Sequence, residues 1–402
     1  MSRHKIFKYS LGVIIVIFAF FIAIRMATFD TNLNPEITYK LPEFASLDNL
    51  SDVEYGQWAV AVDGQPIVSE RTESPQPTAS TTKMILSLAV IQQKPFALGE
   101  TGENIEITQE FYDIYTWYIT HNGSNSAVEV GEVINEYDAL ASVLLASSNN
   151  MADSLAIWAF GSLDNYRDHA SNMLAEWGIT DTTIGSDASG YDPSTTSTAT
   201  DLAKIGAKLL ENPVLAQIVG LPSHDVPVAG ALTNSNGLLG QNRIIGIKTG
   251  FIGEESGYCL ITGYKEGEHN ITTALLGAPD RTSSFSASSG MVIAAQSAMP
   301  FSNLVTSGET VGFYHPWWSE PVAITSDSDF TELGYSTPNS SASLQVPTTS
   351  AEALEATSDK VTGTLELKFN DNTYHAPVSA ADFSLEPTLL QRFLHVFGWS
   401  AS

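Results

Sequence analysis

Residues Pro77–Val90 read PTASTTKMILSLAV. A polar opening, Thr78 to Lys83, runs straight into an apolar stretch broken only by Ser87. The proline and the hydroxyl residues mark a helix start, and the spacing predicts a helix from near Ser80 to about Gln92. Positions three apart share a helix face, so the Lys83 amine can reach the Ser80 hydroxyl. A serine is a weak nucleophile until a base takes its proton. A lysine can be that base when burial and nearby positive charge hold its amine neutral. Alone the pattern is weak: about one chance Ser-x-x-Lys is expected in a serine-rich chain of this length. A serine N-cap followed by a solvated lysine reads the same way.

Outward from this stretch the chain has a clear texture. Upstream, WAVAV (Trp58–Val62), a turn at Asp63-Gly64 and a second run, Pro66–Glu70, predict a hairpin. Downstream, residues 100–215 read as mainly helical. Ile244–Ile247, Gly257–Tyr264 and Ile271–Gly277 then read as strands. A sheet therefore embraces a helical insertion, with two strands before it and three after it. From about Met299 Ser, Thr and Pro become frequent. VTGTLELKF (Val361–Phe369), a turn at Asn370-Asp371-Asn372 and a further run predict a small β-rich domain. Leu389–Trp399 has the apolar spacing of an amphipathic helix, expected to dock on its own domain, with contact to a membrane surface as the alternative.

The N-terminus carries Arg3, Lys5 and Lys8, then an uncharged, mostly apolar run from Tyr9 to Ile24 closed by Arg25. That order predicts an export signal, retained as a membrane anchor with a cleaved signal as the alternative, and the rest of the chain outside the cytoplasm. The expected segments are an anchor over 1–29, a linker over 30–55, a main domain over 56–300, a β-rich domain over 301–385 and a terminal helix over 386–402.

Composition excludes several classes. With 18 Lys+Arg against 45 Asp+Glu the formal net charge is −27, which argues against a nucleic-acid binder. The lone cysteine, Cys259, precludes an intramolecular disulfide and lies in an apolar strand, as a buried structural thiol does. The eight histidines are scattered without ligand spacing, so no metal is expected. No Gly-x-Ser-x-Gly elbow supports a Ser-His-Asp triad.

Two further elements carry chemistry. Ser147-Ser148-Asn149 lies between two apolar helical stretches, where it offers either a helix cap or a hydroxyl and an amide to a substrate. Lys248-Thr249-Gly250 ends a β run. The lysine offers charge to an anion, the threonine a hydroxyl, and the glycine room for an approaching backbone. The competing reading is an edge strand with a protective lysine.

Taken together and in this order, Ser-x-x-Lys, Ser-x-Asn and Lys-Thr-Gly resemble the motifs of the penicillin-recognising serine hydrolases. The local sequences, over about residues 56–300, are most similar to the D-alanyl-D-alanine carboxypeptidases, the low-molecular-mass penicillin-binding proteins. The resemblance implies an α/β (α+β) fold of the β-lactamase/transpeptidase type: an antiparallel sheet flanked by helices, with an inserted helical subdomain. It implies a peptidoglycan stem peptide ending in D-Ala-D-Ala as substrate, β-lactams as inhibitors, the bacterial cell envelope as location, and no cofactor.

By position, Ser80 would be the nucleophile and Lys83 its base. Ser147 would pass a proton to the leaving amine, and Asn149 would hold the peptide. Lys248 would support the proton network, and Thr249 would hold the terminal carboxylate. Gly250 and Phe251 would line the substrate's path, and the backbone N–H groups of Ser80 and Phe251 would form the oxyanion hole. Three departures stand out. Asn150 replaces a frequent Asp, GSDASGY (Gly185–Tyr191) replaces the usual Asn-Pro-x-Gly-Leu, and Ser284 stands where an arginine is usual. Arg281 is then the candidate carboxylate anchor, with a plain surface arginine as the alternative. A β-lactamase and a non-catalytic peptidoglycan-binding homologue are the competing functions.

Overall fold

The structure is a computed structural model. It describes residues 3–28, 30–44, 53–72, 74–335, 340–355, 360–369, 372–381 and 383–399. Residues 45–52 of the expected linker and the turn at Asn370-Asp371 lie outside the described residues, as do the side chains of Arg3, Lys5 and Lys8. The chain divides into two compact units: residues 45–300, and residues 1–44 with 301–402.

The 45–300 unit is organised by a five-stranded antiparallel sheet. Its order is Gly246–Gly250, Tyr258–Glu266, His269–Ala278, Gln57–Val62 and Gln65–Glu70. The two strands before the helical insertion thus lie beside the three after it, as the sequence texture predicts. All six residues of Gln57–Val62 are buried, which requires cover on both faces. The helix Ala199–Glu211 packs on the central strands. Small residues allow the close fit: a Cβ on Gly206 would lie 3.0 Å from Ile261 Cγ2, and one on Gly263 2.6 Å from Leu210 Cδ1. The helix Arg281–Ala298 also packs on the strands Tyr258–Glu266 and His269–Ala278. Its sequence lacks a clear apolar stripe, so periodicity does not reveal it. Asp280 starts it by accepting from Ser283 N at 2.8 Å.

The insertion contains the helices Lys83–Gln93, Gln109–Thr120, Glu136–Leu144, Asn149–Phe160 and Leu163–Glu176. Their apolar faces and the sheet share one core, which includes Met84, Leu140, Leu155, Leu202 and Ile261. Three short ribbons interrupt the helical region: Asn104–Glu106 with Val133–Asn135, Gln76–Pro77 with Thr196–Ser197, and Ser223–Val226 with Gly230–Thr233.

The other unit is β-rich. Its six-stranded sheet has the order Pro35–Ile37, Thr310–Tyr314, Val322–Ser326, Asn372–Ala380, Val361–Phe369 and Ser341–Gln345. This corrects the reading of residues 30–55 as linker throughout. Pro35–Ile37 pairs with Gly312–Tyr314, and Leu33 is fully buried in the same core. Three residues are too few for a strand to announce itself by alternation.

The helix Leu389–Val396 begins with a capping box at Thr388 and Gln391. It is held within its own unit by Gln391 Nε2 donating to Trp318 O at 2.8 Å and by His395 stacked on Trp317. An N-terminal helix spans Arg3–Ala27. Its described side chains begin at Leu11, and over these described residues no helix is long and apolar enough to cross a membrane.

Candidate active site

The site is built on the turn before the helix Lys83–Gln93. Ala79–Thr82 forms a 3₁₀ turn, so the regular helix starts three residues later than the spacing predicts. Buried threonines hold this turn. Thr81 Oγ1 donates to Thr78 O at 2.7 Å, and the Thr78 and Thr82 hydroxyls share a bond at 2.6 Å. Ala79 has φ +48°, a left-handed conformation that stores strain beside Ser80.

Lys83 is completely buried. Its ammonium donates to Ser80 Oγ at 2.8 Å, Asn149 Oδ1 at 2.7 Å and the Ser189 carbonyl at 2.7 Å. Burial pushes its pKa down to about 7, opposed by the carboxylates of Asp187 and Asp153. Lys248 is also buried; its Nζ donates to Thr249 O at 3.1 Å. Burial, then the charge of Lys83, holds Lys248 well below the ordinary lysine range.

A cavity of about 360 Å³ opens over Ser80 and is also lined by Ser147, Thr249, Gly250, Phe251 and Arg281. Ser147 has φ +59°, a second strained position at the cavity wall. Gly250 has a specific reason to lack a side chain. A Cβ there would lie 3.0 Å from Thr78 O and 3.2 Å from Ser80 N. Its backbone thus presses against the serine turn, a sharper role than room for a substrate strand. Phe251 stacks on Tyr258 at 4.1 Å between ring centroids.

Arg281 is exposed at the cavity, with its guanidinium over Phe285 and one bond to Ser235 O at 3.1 Å. No carboxylate pairs with it among the described residues. Ser235 Oγ meets Thr249 Oγ1 at 2.8 Å, so this serine connects the two groups expected to face an anion. Sequence reasoning missed Ser235, Ser189 and Ser124, the last a further residue lining the cavity over Ser80. Ser235 and Ser124 carry no motif, and Ser189 reaches Lys83 through a backbone atom.

The departures have local explanations. Asn150 Oδ1 accepts from Ser126 N and Ser148 Oγ, while Nδ2 donates to Ser126 O at 3.0 Å. A carboxylate could not make that last bond. Asp187 Oδ1 accepts from Ser189 N and Gly190 N, and Oδ2 from Asp192 N. Its carboxylate thus folds the 186–192 loop. Ser284 is buried, with its hydroxyl on Arg281 O. Cys259 is buried and burial pushes its thiol up to about 12, which fits an inert structural thiol. Among the described residues no cluster suited to a metal occurs.

An antiparallel sheet with a helical insertion, and Ser-x-x-Lys, Ser-x-Asn and Lys-Thr-Gly gathered around one cavity, define the architecture of the penicillin-recognising DD-peptidases. The chain belongs to the D-alanyl-D-alanine carboxypeptidase family of serine peptidases, whose model matches residues 56–280. It is 20% identical over 222 residues to the D-alanyl-D-alanine carboxypeptidase DacF of Bacillus subtilis. That match covers 54% of this chain and 54% of the relative, so the chain spans about half the length of that protein.

Solved structures share the fold. A Streptococcus pneumoniae peptidoglycan synthesis regulatory factor (PBP3) has TM-score 0.60 at 20% identity, over 81% of this chain and 98% of that one. The D-alanyl-D-alanine carboxypeptidase DacD of Francisella tularensis has TM-score 0.58 at 15% identity, over 86% and 96%. The Streptomyces K15 DD-transpeptidase has TM-score 0.53 at 18% identity, over 64% and 98%.

Proposed function

We propose that the chain is a serine-type D-Ala-D-Ala carboxypeptidase that removes the terminal D-alanine from peptidoglycan stem peptides. One observation carries the reading: Lys83 Nζ, fully buried and with its pKa pushed down to about 7, lies 2.8 Å from Ser80 Oγ. A neutral Lys83 takes the Ser80 proton as Oγ attacks the carbonyl between the two D-alanines. The developing oxyanion is held by the backbone N–H groups of Ser80 and Phe251. The proton passes to the leaving amine through Ser147, and D-alanine departs. Water then hydrolyses the acyl-enzyme. Asn149 orients Lys83 and the peptide, Lys248 adds positive potential, and Thr249 and Arg281 receive the terminal carboxylate. β-Lactams acylate the same serine.

The N-terminal helix is proposed to anchor the chain to the cell membrane, facing the envelope. The uncharged run Tyr9–Ile24 is itself short of the roughly 20 residues a span takes, and it reaches that length through Met26 to Phe29 only with the Arg25 charge drawn to the interface. The apolar side chains from Val13 to Phe18 are exposed. Recovery of the full chain in the soluble fraction, without detergent, would refute the anchor.

Fluorescent penicillin tests the chemistry. It should label the wild type and not Ser80→Ala, and D-alanine should be released from a pentapeptide. Absence of labelling, or labelling that survives Ser80→Ala, overturns the mechanism. Labelling without D-alanine release indicates a binding homologue, and rapid lactam turnover a β-lactamase.

A further inference from the structure

Behind the Lys83 ammonium lies a buried group that the mechanism above does not use. Asp153, on the helix Asn149–Phe160, is almost wholly buried. Its Oδ2 accepts from Tyr118 OH at 2.7 Å and its Oδ1 from Ala188 N at 2.9 Å. Tyr118 OH also meets Ser189 Oγ at 3.1 Å, and that oxygen accepts from Tyr191 N. One carboxylate thus ties two helices to the 186–192 loop, next to the carbonyl that Lys83 uses. Asp187 organises the same loop from within by accepting three backbone N–H groups.

We propose that Asp153, clamped by Tyr118, is a positioning residue for acylation. It fixes the Ser189 carbonyl against Lys83, and its negative charge acts on the Lys83 ammonium. The proposal rests on the reading of Lys83 as the base.

The surroundings give that charge its effect. Lys83 and Asp187 face Asp153 from the serine helix and the loop, and the hydroxyls of Tyr118 and Tyr166 face it from two other helices. Burial, then Asp187, pushes the Asp153 carboxyl up to about 6. Asp153 also lines a cavity of about 920 Å³ together with Glu110, Asp113, Asp187 and Asp192. Above that pH Asp153 is ionised and favours the charged form of Lys83. After burial and Asp187, the Asp153 charge therefore raises the pH at which Lys83 becomes a free base, and the hydrogen bonds set where it points.

Substitutions separate the two effects. In Asp153→Asn the amide can keep both partners: Oδ1 still accepts from Ala188 N, and Nδ2 donates to Tyr118 OH, which turns its own proton to Ser189 Oγ. The rate of acylation by fluorescent penicillin, followed against pH on the full chain, should keep its plateau within about threefold. Its acid limb should move to lower pH by about half a unit or more, because Lys83 loses a stabilising anion. Asp153→Ala should lower the plateau at least tenfold and speed amide hydrogen exchange across residues 187–191. Tyr118→Phe should do the same more weakly.

A limb that stays in place in Asp153→Asn while the plateau survives overturns the electrostatic role. Unchanged exchange in Asp153→Ala overturns the positioning role whether or not the enzyme turns over. A parent that is not acylated, or labelling that survives Ser80→Ala, instead defeats the reading of Lys83. The exchange measurement still decides the clamp in that case.

Discussion

Lys83 Nζ and Asn149 Oδ1, both on buried residues, lie 2.7 Å apart. With Ser80 Oγ and Ser189 O this completes the three bonds an ammonium can donate. The arrangement satisfies the charged form, yet burial favours the neutral form more strongly, and the pKa falls to about 7. A base poised there changes state near neutral pH, where proton transfer is most effective.

The first prediction is the pH profile. Only neutral Lys83 can accept the Ser80 proton, so acylation by fluorescent penicillin should rise with pH through about 7 and level off above it. Rates from pH 5 to 9, with protein stability checked at each end, decide this. A profile flat across that range would remove Lys83 as the titrating base.

Asn149 allows a prediction with a sign. Asn149→Ala withdraws one acceptor from the ammonium and should reduce acylation by about a hundredfold. Asn149→Asp keeps an acceptor but adds a negative charge beside Lys83. A nearby anion favours the protonated amine, so the acid limb should move to higher pH. That is opposite to the shift expected for Asp153→Asn, and stopped-flow acylation on both variants makes the comparison.

Lys248 separates stability from function. Its buried ammonium has one described hydrogen-bond acceptor, Thr249 O, and a second cation as neighbour. Replacing such a poorly paired group by an apolar chain of similar volume removes the cost of burying a charge. Lys248→Met should therefore melt no lower than the wild type while acylation falls by about a hundredfold or more. Calorimetry paired with labelling reads both. A large fall in melting temperature would show that Lys248 has a structural role instead.

Arg281 and Thr249 both meet Ser235, the first at its carbonyl and the second at its hydroxyl. Arg281 is exposed and its bond goes to a backbone carbonyl, so Arg281→Gln should leave the melting temperature almost unchanged. Charge-assisted bonds are worth about 1.5–3 kcal/mol, so kcat/KM for a peptide with a free terminal carboxylate should fall by about 10–150-fold. The loss should shrink for the same peptide amidated at its C-terminus. Equal losses on both peptides would exclude Arg281 as the carboxylate anchor.

The sequence exposed those parts of the site where side chains follow one another at a fixed period. Ser80 and Lys83 lie three apart, and Lys248 to Gly250 are contiguous on one strand. What it concealed depends on backbone atoms or distant partners. The Ser189 carbonyl has no residue signature, and Asp153 is a single acidic position in an otherwise apolar run, MADSLAIWAF. The fold follows the same division. The hairpin at Trp58–Glu70 announces itself by alternation and turn chemistry. The strand Pro35–Ile37 is too short to do so, and the serine- and alanine-rich helix Arg281–Ala298 shows little periodicity.

Gly190 gives the most direct test of how the 186–192 loop supports the serine turn. Its φ is +69°, and a Cβ there would lie 2.0 Å from the Ala79 carbonyl oxygen and 2.7 Å from Thr82 Oγ1. Backbone atoms cannot yield at that distance as a flexible side chain can, so Gly190→Ala must push the loop off the turn. Strain at such a position costs about 1–3 kcal/mol before the clash is counted. The expected loss is at least about 2 kcal/mol, or about 5 °C in a domain of this size, with a tenfold or greater fall in acylation. Gly99 is the control. It also has a left-handed φ, +91°, but a Cβ there would meet nothing within 4 Å. Gly99→Ala therefore adds only backbone strain of about 1–2 kcal/mol and should leave acylation intact. If the two variants acylate equally well, the loop is not what holds Ser80 and Lys83 in register.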